Sequence, residues 1–399
     1  MSYTDNSAFA GSRYELWPLG TLVEERSETG DAADLAPLSV GKQGVTAQLA
    51  GVAKSANTSS RKVVRAGDIA INSRSDRRGA AGLARQDGTI SVVYSVMTPN
   101  PHLLDKEYAH HLFRSVPFQE EFFRFGTGIH WDLWSTRFTS MRQIPVPLPP
   151  LPTQRAIADY LDRETAEIDA MAAELDELVE RLRDRREAVV GSEGVLDAPR
   201  VSLGMLCDFN SGGTPPTSDL SMWDESDTGT PWVAISDMST VDSVSETKKS
   251  VTKLGIETAR LPVGKPGTVL FAMYASVGAV SVLGINATWN QAILGLSPIE
   301  PETLSPDWLF HALTLLKPEL PLYYRSNTQN NLNAEQVKAL RIPLPSPDEQ
   351  RRAIELIRSR QDEIDSMIAD AQKLKALLAE RRSALITEVV TGRKEVPVP

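Results

Sequence analysis

One segment of this chain occurs twice, and this repeat restricts the possible folds more than any other feature of the sequence. Residues 146–186 recur as residues 342–382, and no insertion or deletion separates the matched positions. Val146–Pro149 matches Ile342–Pro345, and Gln154 matches Gln350. A repeated unit of this length indicates a chain built from two similar halves. The predicted order is a globular stretch, a helix, a second globular stretch and a second helix.

Apolar residues in both copies follow the spacing of a coiled coil. In each copy, eight of ten positions at alternating intervals of three and four residues are apolar. We expect the two helices to form an antiparallel pair within the chain, with the globular stretches at opposite ends of a rod. Alternatively, each helix packs on its own globular stretch, or the apolar positions join two copies of the chain. The predicted interface comprises Ile157, Leu161, Ile168, Met171, Leu175, Leu178, Leu182, Ile357, Ile364, Met367, Leu374, Leu378 and Leu385.

Helix signals divide the chain into four parts. A proline-rich stretch precedes each helix, and Ser346–Glu349 is a capping box with proline at the first helical position. Gly191 and Gly392 stand where C-terminal caps are expected. We therefore predict domains at residues 1–150 and 198–345, each followed by a repeated helix, at 151–197 and 346–399. The fold class is α+β, with two pseudo-symmetric mixed α/β domains separated by two long helices that form an antiparallel intramolecular coiled coil.

The two globular stretches share landmarks and differ between them. Residues 67–71 and 267–271 are predicted to be equivalent strands, each entered through a glycine turn. A helix is expected near Tyr108–Phe123 in the first stretch and near Trp308–Leu320 in the second. The shared parts are predicted to be scaffold, and the divergent parts are predicted to recognise two different targets.

Charge is distributed unevenly along a chain whose net charge is −10. Residues 151–197 hold six basic and thirteen acidic residues, so the first helix carries much of the negative charge. Residues 54–85 instead hold eight basic residues and two acidic ones, which predicts a basic face on an acidic protein. The single cysteine, Cys207, suits a reducing compartment, and no run of about 18 apolar residues predicts a membrane span. We expect a cytoplasmic protein without a metal site.

Polar and basic residues occupy matching loops of the two stretches, as expected of a nucleic-acid interface. Asn and Gln bond adenine in bidentate fashion, and Arg bonds guanine in the same way. The alternative is that these runs are solvated turns. The turn at residues 211–216 could also present backbone N–H groups to a phosphate. The DNA-binding candidates are Lys54, Arg61, Lys62, Ser73, Arg74, Arg77, Arg78, Thr127 and His130 in the first stretch, and Ser211, Gly213, Thr214, Tyr274, Ser276, Asn290, Gln291, Asn327, Gln329, Asn330 and Asn331 in the second.

These repeated segments and divergent stretches closely resemble the specificity subunit of Type I restriction-modification systems. The resemblance covers nearly the whole chain and is most specific at Ile342–Pro345, at Glu349–Gln350 and at the Ser211–Pro215 turn. It implies two target-recognition domains that each read half of a bipartite DNA site, and helices that set the spacing. It also implies partners: two methyltransferase subunits and restriction subunits. S-adenosylmethionine, ATP and Mg²⁺ would bind to those partners, and none of them to this chain.

Two other functions compete with this interpretation. A coiled-coil scaffold that bridges proteins without binding nucleic acid would use the same apolar positions, and the overall acidity favours it. A stand-alone enzyme is disfavoured, because the sequence contains no phosphate-loop, dinucleotide-binding or metal-protease motif. We therefore predict a non-catalytic DNA-recognition subunit.

Overall fold

The structure is a computed structural model that describes residues 7–30, 35–41, 44–48, 61–74, 79–128, 134–192, 197–224, 228–238, 241–324 and 331–397. The chain forms two compact units. Unit 1 comprises Met1–Glu177 and Gln372–Pro399, and unit 2 comprises Leu178–Ala371. Each long helix contributes residues to both units. Unit 1 also contains the first and the last residues of the chain.

Unit 1 combines small antiparallel sheets with helices. Strands β2, β10, β7 and β8 form the central sheet in that order; β3, β6 and β9 form a second sheet, and β4–β5 and β1–β11 form pairs. The elements are β1 (Leu16–Pro18), β2 (Val23–Glu25), β3 (Thr29–Gly30), β4 (Leu38–Gly41), β5 (Gly44–Ala47), β6 (Arg61–Val64), β7 (Ile69–Asn72), β8 (Ala81–Leu83), β9 (Gly88–Ile90), β10 (Tyr94–Pro99), α1 (Lys106–Leu112), α2 (Val116–Arg124), α3 (Phe138–Met141), β11 (Pro145–Pro147) and α4 (Leu151–Ala188).

Both faces of the central sheet in unit 1 are buried. Ile69 and Ile71 of β7 pack in one core with Tyr108 and Phe118 of the helices, whereas Ala70 between them packs in a core with the smaller strands. This division follows the two-residue period of a strand. The single helix predicted near Tyr108–Phe123 is two helices, because Ser115 caps α2 by accepting a hydrogen bond from the N–H of Phe118.

Unit 2 contains a five-stranded sheet in the order β13, β21, β18, β19 and β16. Unit 2 also contains a separate four-stranded sheet in the order β14, β17, β15 and β20, and β12 pairs with β22. The elements are β12 (Arg200–Ser202), α5 (Leu203–Leu206), β13 (Cys207–Ser211), β14 (Trp223–Asp224), β15 (Thr230–Val233), α6 (Ile235–Met238), β16 (Ser243–Val244), β17 (Lys249–Val251), α7 (Lys253–Ala259), β18 (Val269–Ala272), β19 (Val280–Leu283), β20 (Thr288–Trp289), β21 (Ile293–Pro298), α8 (Pro306–Leu316), α9 (Ala334–Ala339), β22 (Arg341–Pro343) and α10 (Pro347–Val390).

The predicted equivalent strands are β7 and β18, each flanked by antiparallel neighbours in its sheet. Both are entered through a glycine of positive φ, Gly67 at 101° and Gly267 at 92°. Helix α8 corresponds to the helix predicted near Trp308–Leu320, but it ends at Leu316 and a 3-10 helix follows at Lys317–Tyr323.

A buried glutamine joins each long helix to the loop that precedes a shorter helix, α1 in unit 1 and α8 in unit 2. Gln154 is fully buried; its Nε2 donates to the carbonyls of Leu103 and Pro149, both at 2.8 Å, and its Oε1 accepts from the N–H of Asp105 at 2.7 Å. Gln350 makes the same three bonds, to the carbonyls of Thr303 and Pro345 and from the N–H of Ser305, at 2.8, 2.9 and 3.1 Å. The repeated glutamine therefore has the same structural role in both units.

The two long helices run antiparallel, as predicted. In unit 1, Ile157, Leu161 and Ile168 of α4 share a core with Leu378 and Leu385 near the C-terminal end of α10. In unit 2, Leu182 near the end of α4 shares a core with Ile357 and Ile364 near the start of α10. Leu175 is partly buried against the unit 1 core. Helix ends also pack on globular residues of their own unit, so the alternative of packing on the domain holds in part.

Four predicted interface residues are not buried. Met171, Leu178, Met367 and Leu374 are between 39% and 48% exposed. The buried positions share their cores with side chains of the globular parts, and these four positions belong to none of those cores. Two helices alone do not enclose a long apolar side chain, which explains the exposure.

Ion pairs supplement the packing between the helices. Arg382 binds Asp169 through two hydrogen bonds, at 2.9 and 3.2 Å, and Lys375 binds Asp176 at 2.5 Å. These pairs are exposed, so each contributes about 0–1 kcal/mol and mainly favours the antiparallel register.

Both ends of the described chain meet in unit 1. The N–H of Arg13 donates to the carbonyl of Thr391 at 2.9 Å, and the hydroxyl of Ser12 donates to the same oxygen at 3.2 Å. Gly392, with φ of 72°, turns the chain after α10, as expected of a C-terminal cap. At the start of α10, Glu349 accepts from the N–H of Ser346 at 2.8 Å. Among the described residues, no helix is long and apolar enough to cross a bilayer.

Candidate nucleic-acid interface

Strand order in unit 2 brings most of its described candidates to one edge of the five-stranded sheet. Strands β13 and β18 are both antiparallel to β21, so their C-terminal ends lie beside the N-terminal end of β21. Ser211, Gly213 and Thr214 end or follow β13, Tyr274 and Ser276 follow β18, and Asn290 and Gln291 precede β21. We call this set, together with Asn331, the unit 2 edge. Asn327, Gln329 and Asn330 lie outside the described residues.

Hydrogen bonds tie the loops of the unit 2 edge together. The N–H of Met273 donates to the carbonyl of Ala292 at 2.8 Å, and the N–H of Leu332 donates to the carbonyl of Met273 at 3.0 Å. The hydroxyl of Thr214 donates to Oε1 of Gln291. Asn331 precedes Leu332 and therefore joins the same edge.

The glycine N–H groups of the turn at residues 211–216 bond to neighbouring strands. The N–H of Gly212 donates to the carbonyl of Ile293 at 3.2 Å, and that of Gly213 donates to the carbonyl of Trp289 at 2.9 Å. Pro215 and Pro216 have no N–H. Both glycine N–H groups are therefore used within the fold. A Cβ at Gly212 would lie 2.2 Å from the carbonyl oxygen of Asn290, so close packing requires this glycine.

Three indoles hold the turn in place. Nε1 of Trp232 donates to the carbonyl of Gly213 at 3.0 Å, and Nε1 of Trp223 donates to that of Pro216 at 3.2 Å. Nε1 of Trp289 donates to the carbonyl of Asn210, before the turn, at 3.3 Å. Trp232 and Trp289 are buried, which makes them supports of the turn and leaves them unable to stack on a base.

The side chains of the unit 2 edge differ in how free they are to read a base. Tyr274, Ser276 and Gln291 are exposed. Asn290 is half-buried, and its Oδ1 accepts a hydrogen bond from the N–H of Ala292 at 2.7 Å. This side-chain oxygen therefore stabilises the turn and is already bonded. Tyr274 and Ser276 are therefore better placed than Asn290 to contact a ligand, whereas Oε1 of Gln291 already accepts from the hydroxyl of Thr214.

Unit 1 has a corresponding edge, formed by Ser73, Arg74 and Thr127. Arg74 and Thr127 both form backbone bridges with Ser135, and the N–H of Thr136 donates to the carbonyl of Ser73 at 2.9 Å. This bond matches the one from Leu332 to Met273 in unit 2, so the loops meet at the same place in both units. Arg74 and Thr127 are exposed. Lys54, Arg77, Arg78 and His130 lie outside the described residues.

Carboxylates of unit 1 neutralise much of the predicted basic face. Arg65 pairs with Glu28 at 2.8 Å and with Asp87 at 3.0 Å, and Arg85 pairs with Glu107 at 3.0 Å. Of the DNA-binding candidates on this face, Lys62 lies 4.0 Å from Glu25, and Arg61 donates to the carbonyl of Thr89 at 3.2 Å. Arg61 and Lys62 lie on β6, outside the central sheet, and both are half-buried. Within the described part of the face, only Arg74 is exposed without an ion pair.

Burial favours the neutral forms of His110, His311 and Cys207. Burial lowers the pKa of His110 to about 3 and that of His311 to about 4, and burial raises the pKa of Cys207 to about 12. His111 is buried and its Nε2 lies 2.8 Å from Asp162 of α4. No cluster of potential metal ligands occurs among the described residues.

Sequence reasoning missed residues that the four-stranded sheet of unit 2 brings to the turn. A Cβ at Gly213 would lie 2.7 Å from the side chain of Leu261, and Lys249 lies over the ring of Trp223. Neither residue is close to the turn in sequence, so no local pattern points to it.

A family model and two of three similar solved chains agree with this architecture. A family model described as the Type I restriction modification DNA specificity domain matches residues 40–181 and 198–375. A solved chain, from a structure concerned with complex assembly and conformational transition of the type I R-M system, aligns with 96% of this chain and 98% of its own length, at 20% identity and a TM-score of 0.69. The HsdS subunit from Thermoanaerobacter tengcongensis aligns with 96% of this chain and 97% of its own, at 20% identity and a TM-score of 0.51. The S subunit from M. genitalium aligns with 98% of both chains, at 16% identity and a TM-score of 0.40.

Proposed function

Because this chain belongs to the Type I restriction-modification DNA specificity family, we propose that it is the sequence-specificity subunit of a Type I restriction-modification complex. Each globular domain reads one half of a bipartite DNA target. The long helices set the distance between the half-sites and dock two methyltransferase subunits, and restriction subunits complete the complex. The chain itself carries no catalytic group. S-adenosylmethionine, ATP and Mg²⁺ bind to the partners, and the complex acts in the cytoplasm.

The observation that carries this proposal is the matching position of two loop sets with different sequences. The equivalent hydrogen bonds of Thr136 to Ser73 and of Leu332 to Met273 fix the loops at the same edge in each unit. Arg74 follows Ser73 in unit 1, whereas Tyr274 follows Met273 in unit 2. One scaffold with different exposed side chains suits two half-sites of different sequence.

DNA recognition uses some contacts to position the duplex and others to read its bases, and exposed side chains of the two edges suit the second role. Phosphate contacts fix the register of a protein on DNA, and contacts to base edges supply the specificity. Arg74 can bond guanine through two donors, and Gln291 can bond adenine through a donor and an acceptor once its Oε1 exchanges the hydroxyl of Thr214 for the base. Each good bidentate contact contributes about 1–3 kcal/mol of discrimination. A pair of rigid helices keeps half-sites at a fixed distance better than a flexible linker does.

Methylome sequencing tests the proposal directly. A host that expresses the chain with its methyltransferase subunits should gain methylation at a two-part motif with a fixed gap. Gln291→Ala should relax one half of that motif and leave the other half and the gap unchanged, because Gln291 belongs to one edge only. Arg341→Ala is the matched control, since Arg341 is exposed in the β12–β22 pair and away from the unit 2 edge. No methylation with the wild-type chain, together with stable binding of two proteins, would instead support the scaffold alternative.

A further inference from the structure

The described residues of the unit 2 edge carry no positive charge, which DNA binding requires. Its eight described candidates are neutral side chains or glycine, and both glycine N–H groups of the turn are already occupied. Phosphate contacts, mostly from Lys and Arg, supply most of the non-specific affinity of DNA-binding proteins. If this edge reads DNA, cations from other parts of unit 2 must lie beside it.

Lys249 is one such cation. It is exposed on β17, and its Nζ lies 5.3 Å from the ring centroid of Trp223. The same indole donates to the carbonyl of Pro216, so Lys249 is positioned next to the Pro216 end of the turn. A lysine over an aromatic ring keeps its ammonium group in solvent, where a phosphate can reach it.

Arg260 is the second cation, and it lies next to the Gly213 end of the turn. Its neighbours in sequence, Ala259 and Leu261, are the groups that a Cβ at Gly213 would meet, at 3.7 and 2.7 Å. Arg260 is exposed, and no ion pair to it occurs among the described residues. Glu257, one turn earlier on α7, pairs with Lys253 at 3.8 Å. The guanidinium group is therefore available to a ligand.

The backbone at Arg260 is strained. It forms the C-terminal cap of α7 in the left-handed conformation, with φ of 50°. Glycine is the usual residue at such a position, because an L side chain is strained there. The other non-glycine residue with positive φ among those described is Ala275, between Tyr274 and Ser276 at the unit 2 edge. Strained residues cluster at ligand sites, and both of these lie at this edge.

We propose that Lys249 and Arg260 form a phosphate-binding subsite that flanks the Gly213–Pro216 turn and contacts the DNA backbone beside the half-site read by unit 2. This inference rests on the proposed function. The subsite holds the duplex in register, and the neutral side chains of the unit 2 edge then meet base edges. Such contacts strengthen binding to every sequence alike.

The test compares salt dependence with stability in the full-length chain. We expect Arg260→Gly to reduce the slope of log affinity against log salt by about 0.9, measured by fluorescence anisotropy on a duplex of arbitrary sequence. That slope corresponds to about eightfold weaker binding at 0.1 M salt. The melting temperature should stay the same or rise, because glycine relieves the left-handed backbone. Arg260→Lys should restore the slope, Lys249→Ala should lower it by a similar amount, and Arg341→Ala should leave it unchanged.

The outcomes separate this inference from the proposed function. If the wild-type chain binds duplex with a steep salt dependence and both Arg260→Gly and Lys249→Ala keep that slope, the subsite is wrong and the proposed function stands. If the wild-type chain shows no salt-dependent binding to duplex, both fail. If the two variants keep duplex binding but lose assembly with the methyltransferase subunits, the pair contacts protein and the phosphate subsite is overturned.

Discussion

Replacing Gln154 by leucine should open the junction between α4 and the loop before α1. The substitution keeps the approximate size of a fully buried side chain and removes all three of its hydrogen bonds. A protein hydrogen bond contributes about 1 kcal/mol net, so the loss is about 3 kcal/mol. It is larger if water does not reach the two carbonyls and the N–H left behind, because each unpaired buried group costs about 1–3 kcal/mol.

Hydrogen exchange measures this loss locally and contains its own control. The amide of Asp105 donates to Gln154, and the amide of Ser305 donates to Gln350. In Gln154→Leu, exchange at Asp105 should accelerate by about 100-fold, since 1.4 kcal/mol corresponds to a factor of ten. Exchange at Ser305 should stay the same, and Gln350→Leu should give the reverse pattern. A change below about threefold at Asp105, or equal changes at both amides, would refute the assigned role of the glutamine.

Two further perturbations test other contacts. Asp162→Asn should destabilise unit 1 at neutral pH. The pKa of Asp162 is lowered, mainly because His111 donates a hydrogen bond to its carboxylate. The carboxylate therefore stabilises the fold above its unfolded pKa of about 3.9, and this contribution is lost as the pH falls through the lower folded pKa. Thermal unfolding of both proteins across pH checks this, and a stability difference that persists in acid contradicts it. Gly295→Ala should destabilise unit 2 by about 1–3 kcal/mol or more, because the added Cβ would lie 2.2 Å from Cζ2 of Trp289. An unchanged denaturation midpoint would show that the indole moves freely.

The repeat explains why so much of the architecture follows from the sequence. Gln154 and Gln350 mark the same junction in both halves, and the apolar spacing of the helices predicts an antiparallel pair that the structure contains. The sequence pattern predicts one helix near Tyr108–Phe123, whereas the structure contains two. The proline in the first turn of α2 is the sequence signal for the break between them. Met171 and Leu374 show the limit of a periodic pattern, since it identifies apolar positions but not what covers them.

The details of the candidate site depend on contacts that no local pattern encodes. Glu28 and Asp87, in loops between strands, and Glu107 of α1 neutralise parts of the predicted basic face. Lys249 and Arg260 lie beside the glycine turn because the four-stranded sheet of unit 2 and α7 pack against that turn. A count of charges along the sequence therefore overestimates the basic face of unit 1 and misses the cations of unit 2.

The meeting of the two chain ends has a consequence for biosynthesis. Unit 2 is continuous in sequence, whereas the core of unit 1 joins Phe9 and Ile157 to Leu385 and Val389. A ribosome delivers the N-terminal part first, so unit 1 stays incomplete until translation passes Gln372. A polypeptide truncated before that point leaves apolar residues such as Ile157 and Leu161 uncovered, and is a ready substrate for chaperones and proteases. Unit 1 is thus completed only after the whole of unit 2 has been synthesised.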